Sequence, residues 1–176
     1  MGLMDELGGV LQQYAGGAGQ IPPNVNEHFD QVAQAAPQGS IAEGLAAAFR
    51  SNQTPAFGQM VGGLFGQSNG DQKAGMLNQL LGSVGPGMLA QLAGGAAGGG
   101  ALAGLLGSLG GGQTVTPQQA QQISPEAVQQ LAAHAEQNDP SIIDKAGAFY
   151  AQHPGLVKTL GGAALSIALA KVAQRA

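Results

Sequence analysis

The sequence predicts an all-α protein made of small helical bundles. Apolar residues recur at spacings of three and four along most of the chain, which is the period of an amphipathic helix. Ser, Thr, Asn and Asp beside Pro or Gly mark the places where helices begin and end. No stretch alternates with the period of two that a half-buried strand needs. We therefore expect helices with short connections and no sheet.

The N-terminal half predicts an arm followed by a four-helix domain. Residues 1–23 form a loosely held arm with one short helix, which ends at a Gly-rich stretch and Pro22-Pro23. Residues 24–92 form the domain, with apolar faces on four successive helices. The predicted helix starts are Asn24 or Asn26, a capping box of Ser40 and Glu43, Thr54 before Pro55, and Asn69.

A glycine-rich tract follows, and it allows three interpretations. Residues 93–113 predict a flexible linker between two helical domains. The first alternative is a small Ala/Leu helix packed on the domain. The second is a membrane-inserted helix, because Gly94 and Gly98 have the GxxxG spacing and no charged residue occurs in residues 74–125.

The C-terminal part, residues 114–176, predicts a three-helix module. Its helix starts pair an N-cap residue with a proline at the first helical position, where the missing N–H costs nothing. A last helix over about residues 155–174 is apolar nearly all round, so we expect it to be buried. The predicted N-caps before proline are Thr116, Ser124, Asp139 and His153.

Composition excludes several classes of site. Without cysteine there is no disulfide framework, zinc ribbon or iron–sulfur site. Six basic residues against ten acidic residues give a net charge of −4, so we expect no nucleic-acid partner. The three histidines lack metal-ligand spacing; we expect His28 and His134 at exposed or half-exposed surface positions and His153 at a helix entry. We expect no catalytic, cofactor-binding or metal-binding residue and no small-molecule ligand.

One predicted helix offers a candidate interaction face. Large apolar residues share a face with a stripe of glycines four apart. The stripe allows close approach of either a second copy of the chain or a neighbouring helix of the same domain, and we favour the second. The residues are Phe57, Met60, Val61, Leu64 and Phe65 with Gly58, Gly62 and Gly66.

Two stretches of the N-terminal half resemble the YidB-like family of small bacterial proteins. The first is the opening Met1-Gly2-Leu3-Met4-Asp5-Glu6. The second comprises Gly44-Leu45, Phe49, Ser51-Asn52-Gln53, Met60, Leu64 and Gly66. The resemblance implies an all-helical fold with homeodomain-like packing of three helices. It implies no established activity, cofactor or catalytic residue.

The sequence predicts a non-enzymatic bacterial protein that acts through protein–protein contacts, with an unknown partner or with itself. One alternative is a membrane- or envelope-associated protein that uses the Gly/Ala/Leu segment. The other is a helical DNA-binding module, which the acidic N-terminal half disfavours. The basic residues Lys158, Lys171 and Arg175 need no ligand, since cations favour a helix C-terminus. An acidic start without a basic region predicts no signal peptide and a cytoplasmic location.

Overall fold

The structure is a computed structural model, which describes residues 3–16, 21–94, 101–109 and 114–175. These residues form an all-α fold without strands, as the sequence predicts. The helices are α1 (Leu3–Tyr14), α2 (Val25–Ala35), α3 (Gln38–Arg50), α4 (Phe57–Gln67), α5 (Gly70–Ser83), α6 (Pro86–Gly94), α7 (Ala101–Leu109), α8 (Pro117–Gln121), α9 (Pro125–Asn138), α10 (Ile142–Ala151), α11 (Pro154–Val157) and α12 (Gly162–Ala173), with a 3-10 turn at Lys158–Leu160.

Contacts divide the chain into two units that differ from the predicted domains. The first unit combines residues 1–56 with 143–176, and the second comprises residues 57–142. The predicted domain 24–92 is divided between them, and so is the predicted module 114–176. The predicted arm belongs to the first unit, where Leu11 and Tyr14 of α1 are buried.

Helix α12 forms the centre of the first unit, where it packs against α1, α2 and α3. Leu165, Ala168 and Leu169 on α12 are all buried. A Cβ atom placed on Gly44 of α3 would lie 2.6 Å from the carbonyl oxygen of Ala168, so the two helix backbones touch. Small residues thus let the helices approach closely, and the thin apolar content of the sequence still fills a core.

The predicted last helix over about 155–174 is interrupted. Helix α11 ends at Val157, and the 3-10 turn at Lys158–Leu160 leads to Gly161. Gly161 has φ 88°, in the left-handed region that glycine enters without a steric penalty. The hydrophobic pattern did not predict this break because apolar residues continue on both sides of it. Helix α12 is buried, as the sequence predicts for this segment.

Helices α4 and α9 form the centre of the second unit, and α5 packs on α8 and α9. Three predicted N-caps in this unit are confirmed. Asn69 and Thr116 each form a capping box with the glutamine three residues later, Gln72 and Gln119 respectively. Ser124 accepts a hydrogen bond from the amide of Ala127.

The predicted capping box of Ser40 and Glu43 is wrong. Helix α3 begins at Gln38, directly after Pro37, without a side-chain cap. Pro37 separates the end of α2 at Ala35 from the first residue of α3, Gln38. The helix therefore starts two residues before Ser40.

Two other predicted helix starts are also wrong. The Thr54 hydroxyl donates to the carbonyl oxygens of Ala48 and Ser51, at 2.7 and 2.9 Å, and α4 begins only at Phe57. The Thr54 side chain therefore provides a hydrogen-bond donor for the carbonyl groups at the C-terminal end of α3. Asp139 caps a turn, since its Oδ1 accepts from the amide of Ser141 at 3.1 Å. Helix α10 then begins at Ile142.

The glycine-rich tract contains a helix. Helix α7 at Ala101–Leu109 contacts α6, and Leu105 is buried. This corrects the prediction of a flexible linker for these nine residues. Residues 95–100 and 110–113 lie outside the described residues, so the Gly94/Gly98 motif is described only at Gly94.

The side chain of Asn78 ties α5 to the segment before α8. Its Oδ1 accepts from the amide of Val115 at 2.8 Å, and its Nδ2 donates to the carbonyl of Val115 at 3.4 Å. Asn78→Ala is expected to lower the free energy of unfolding by about 1–2 kcal/mol, because Val115 loses a partner for its part-buried amide. Urea unfolding followed by circular dichroism measures this. The control Asn52→Ala, at an exposed turn, should change it by less than about 0.5 kcal/mol.

Candidate functional site, a charged cleft on the first unit

A cleft lined by charged side chains opens beside α3 in the first unit. Its volume is about 410 Å³. Glu43 and Arg50 stand seven residues apart on α3, hence two helical turns apart on the same face. We call the cleft formed by the following residues the charged cleft: Glu43, Ala46, Ala47, Arg50, Asp144 and Lys171.

Close helix crossings bring these side chains together. Gly44 admits the backbone of α12, as described above, which places Lys171 beside α3. On α10, a Cβ atom added to Gly147 would lie 2.5 Å from the carbonyl oxygen of Ala42. Because glycine stands at both crossings, α10 and α12 flank α3 at close range, and Asp144 and Lys171 reach the same cleft.

Arg50 and Asp144 form a paired, two-point hydrogen bond on one side of the cleft. Arg50 donates from Nη1 to Oδ1 at 2.9 Å and from Nη2 to Oδ2 at 2.7 Å. These hydrogen bonds lower the pKa of Asp144 and raise the pKa of Arg50. The side chains remain 47% and 57% exposed, so solvent screens much of their attraction. The two parallel hydrogen bonds nevertheless fix the orientation of the Arg50 guanidinium group.

Because Arg50 and Asp144 form this pair, we expect a small loss of folding stability in acid. Asp144 has a lowered pKa in the folded protein, so its contribution is present above the ordinary aspartate pKa and is lost as the pH falls through the lowered value. Asp144→Asn should therefore cost about 0.2–1 kcal/mol at pH 7 and nothing once both states of the aspartate are protonated. Urea unfolding of both proteins between pH 7 and pH 2 measures the difference. A difference that persists at the acid end would contradict this role of the carboxylate.

Glu43 meets a basic residue from the end of the chain. Arg175 Nε lies 2.8 Å from Glu43 Oε2. That oxygen is shielded from solvent but accepts no well-aligned hydrogen bond, so the contact is an ion pair without hydrogen-bond geometry. Arg175 thereby adjoins the charged cleft.

Lys171 completes the cleft from α12 and is half-buried. Within the described part of the chain, its side chain forms no ion pair or hydrogen bond. The remaining basic residue of the predicted tail, Lys158, lies elsewhere in the first unit and donates to Asp30 Oδ2 at 2.9 Å. The three basic residues that the sequence assigned to a helix end thus have different surroundings.

The predicted interaction face is occupied within the second unit. Its large apolar residues are buried: Phe57, Met60, Val61, Leu64 and Phe65. A Cβ atom on Gly58 would lie 2.5 Å from the carbonyl oxygen of Gln129, and one on Gly62 would lie 2.9 Å from that of Pro125. Helix α9 therefore covers the stripe, whose last member, Gly66, also faces Pro125. A neighbouring helix of the chain occupies the stripe, but it comes from the predicted module 114–176 and not from the predicted domain 24–92.

The histidine predictions are partly wrong. His28 is buried, with Nδ1 2.9 Å from the hydroxyl of Tyr14 and Nε2 2.9 Å from the side-chain nitrogen Nδ2 of Asn24. The neighbours Glu27 and Asp30 suggested a polar surface, but the helix turns His28 towards α1. His134 is half-buried, and His153 precedes α11 as its N-cap residue, as predicted.

Two buried hydroxyls have no hydrogen-bond partner in the described part of the chain. They are Tyr150 Oη on α10 and Ser166 Oγ on α12, and both residues are fully buried. Burial raises the pKa of Tyr150 well above its ordinary value, so it stays protonated. Tyr150 packs edge-on against Phe49, which explains its burial by aromatic packing.

A comparison with protein-family models, curated proteins and solved structures finds no match for the chain. Within the described residues, no group of three or more His, Cys, Asp or Glu side chains is arranged to hold a metal ion. The helices described here are all too short, or insufficiently apolar, to cross a membrane. The charged cleft gathers charged side chains from α3, α10 and α12 at one place on the first unit.

Sequence reasoning missed the charged cleft. Its residues come from positions 43 to 50, from 144 and from 171, so only the tertiary fold brings them together. One signal was available: in a chain so poor in charge, Glu43 and Arg50 stand on one helix face, and Lys171 and Arg175 stand four apart on another.

Proposed function

We propose that this chain is a non-enzymatic protein that acts through contacts with another protein or with a second copy of itself, and that the charged cleft is the contact surface. The density of charge supports this proposal. Three of the six basic residues of the chain line or adjoin the cleft, together with two of its ten acidic residues.

The arrangement of these charges suits recognition. Charges of both signs stand at fixed positions. Two hydrogen bonds to Asp144 orient the guanidinium of Arg50, and an ion pair with Arg175 positions the carboxylate of Glu43. A partner must present the complementary pattern, which selects the partner and its orientation more than it adds affinity. The floor of the cleft consists of Ala46 and Ala47, which contribute little apolar area. We therefore expect a specific contact of modest affinity.

Sedimentation velocity of the full chain over a wide concentration range tests this function. For self-association, the average mass should rise with concentration, and Arg50→Gln should move the rise to higher concentration. The matched control is Gln130→Glu on the exposed side of α9, which changes the net charge by the same amount at a residue that does not line the cleft.

For a separate partner, the wild-type protein should retain it through purification, whereas Arg50→Gln should release it and Gln130→Glu should not. A chain that stays monomeric throughout, and whose co-purifying proteins are the same for all three versions, would contradict the proposal. Turnover of a substrate by the purified protein would contradict its non-enzymatic part.

We also propose a cytoplasmic location. Cell fractionation with an antibody to the chain should recover it with the soluble contents of the cytoplasm. Recovery with the membrane fraction after a salt wash would favour the membrane- or envelope-associated alternative instead.

A further inference from the structure

We infer that the charged cleft binds an acidic side chain of a partner protein, whose carboxylate lies between Lys171 and Arg50. This inference rests on the proposed function, because it takes the partner to be a protein. It adds the chemical class of the group that the cleft recognises and the residues that recognise it.

The balance of charge at the cleft favours an anion. Arg50 is paired with Asp144, and Arg175 is paired with Glu43. Lys171 has no partner within the described residues and is the only other charged side chain that lines the cleft. The cleft and its neighbour Arg175 therefore carry one more positive than negative charge, although the chain as a whole carries −4.

Arg50 has donors left for a ligand. A guanidinium group carries five N–H donors, and Asp144 uses one from each terminal nitrogen. The side chain is 47% exposed, so its remaining donors are accessible. Because Asp144 already holds the group in one orientation, a carboxylate that binds there does not have to order it. Asp144 is thus a positioning residue, while Arg50 and Lys171 contact the ligand.

The volume of the cleft is large enough for an acidic side chain. Its volume of about 410 Å³ lies in the lower part of the range of about 300–1,000 Å³ that ligand pockets occupy. Ala46 and Ala47 form an apolar floor on which the methylene groups of a glutamate or aspartate can rest. A single acidic side chain fits this combination of a short apolar stem and a carboxylate.

A carboxylate suits the cleft better than a phosphate. The excess of one positive charge matches a carboxylate, which carries a single negative charge. A phosphate group carries a charge closer to −2 and is bound by clusters of cations. Glu43 and Asp144 in the same cleft would repel the doubly charged group more strongly.

Titration of the full chain with blocked peptides at low salt tests the inference. The probe is a hexapeptide of alternating Glu and Ala with an acetylated N-terminus and an amidated C-terminus. The comparison probes are its Gln counterpart, the Gln counterpart with a free C-terminal carboxylate, and inorganic phosphate. We expect saturable shifts of the backbone amide signals of Ala46, Ala47 and Lys171 with the Glu peptide alone, weakened by added salt. Equal or tighter binding of any comparison probe would overturn the assignment to an acidic side chain.

Substitutions locate the bound carboxylate. Lys171→Gln should weaken binding of the Glu peptide about tenfold, because a hydrogen bond between charged groups is lost. Glu43→Gln should strengthen it about threefold, because a nearby negative charge is removed. The matched control Lys158→Gln removes a lysine that is paired with Asp30 in the same unit, and it should leave binding unchanged. If Lys171→Gln and Lys158→Gln bind equally well, the inference is wrong.

The two proposals fail in different ways. If the Glu peptide does not bind but Arg50→Gln still disrupts self-association or releases a partner, the charged cleft is a contact surface for a different group. If the Glu peptide binds with the expected pattern of variants but no association depends on Arg50, the cleft recognises carboxylates and the protein-contact function is wrong.

Discussion

Replacing Phe65 by alanine is expected to lower the free energy of unfolding by about 3–5 kcal/mol. The Phe65 side chain is fully buried on α4, and the ammonium of Lys73 lies 5.1 Å from the centre of its ring. Truncation removes the buried ring, leaves a cavity and ends the cation–π contact. Urea unfolding at pH 7, followed by circular dichroism, measures the loss.

The control for Phe65 lies on the same helix. Gln59 is exposed on α4, so Gln59→Ala should change the free energy of unfolding by no more than about 0.5 kcal/mol. A cost below about 1 kcal/mol for Phe65→Ala would mean that the ring is not buried in this core. The prediction therefore tests the placement of α4 against the rest of the second unit.

Replacing glycine by alanine is expected to have opposite effects at two positions of α4. At Gly58 the new Cβ atom would lie 2.5 Å from the carbonyl oxygen of Gln129, a backbone atom that cannot turn aside. Helices α4 and α9 must then separate, at a cost of about 1–3 kcal/mol. At Gly63 the new Cβ atom would have no atom within 4 Å apart from those of its chain neighbours and of the backbone of its own helix. Alanine should therefore stabilise the helix by about 1 kcal/mol.

The sign of the difference between the two variants is the decisive measurement. Both substitutions add one methyl group to the same helix, and helix propensity favours alanine over glycine at both. Destabilisation at Gly58 together with stabilisation at Gly63 can only come from contact across α4 and α9. Stabilisation by both substitutions would show that the two helices do not cross at Gly58.

Helix content could be predicted because it depends on local pattern. The spacing of apolar residues predicts the fold class, and Asn69, Thr116 and Ser124 start helices as expected. In these three cases the cap and the first turn contain all the atoms of the motif. No distant part of the chain has to be known.

Predictions failed where a residue had a partner outside its own helix turn. Thr54 matches the pattern of an N-cap before proline, yet its hydroxyl closes the preceding helix. His28 lies between two acidic neighbours, yet it faces Tyr14, which is fourteen residues earlier in the chain. Gly161 breaks a segment whose hydropathy is continuous. In each case a competing contact or backbone conformation outweighed the local preference.

The glycines show where sequence and structure agree only in part. The sequence predicts that the Gly58 and Gly62 stripe admits a neighbouring helix, and α9 occupies it. Nothing in the local pattern singles out Gly44 or Gly147, although both lie at crossings of the first unit. Their role depends on which helix passes over them. The charged cleft is built on those two crossings, so it could not be predicted either.

The first unit is assembled from two segments that the second unit separates in sequence, which affects the order of folding. Its central helix α12 leaves the ribosome only after the whole of the second unit has been made. The second unit is continuous in sequence, so all of its contacts form within residues 57–142. Until α12 has been made, α1, α2 and α3 carry apolar faces without the helix that buries them. We therefore expect the second unit to fold during translation and the first unit to fold only after α12 has emerged.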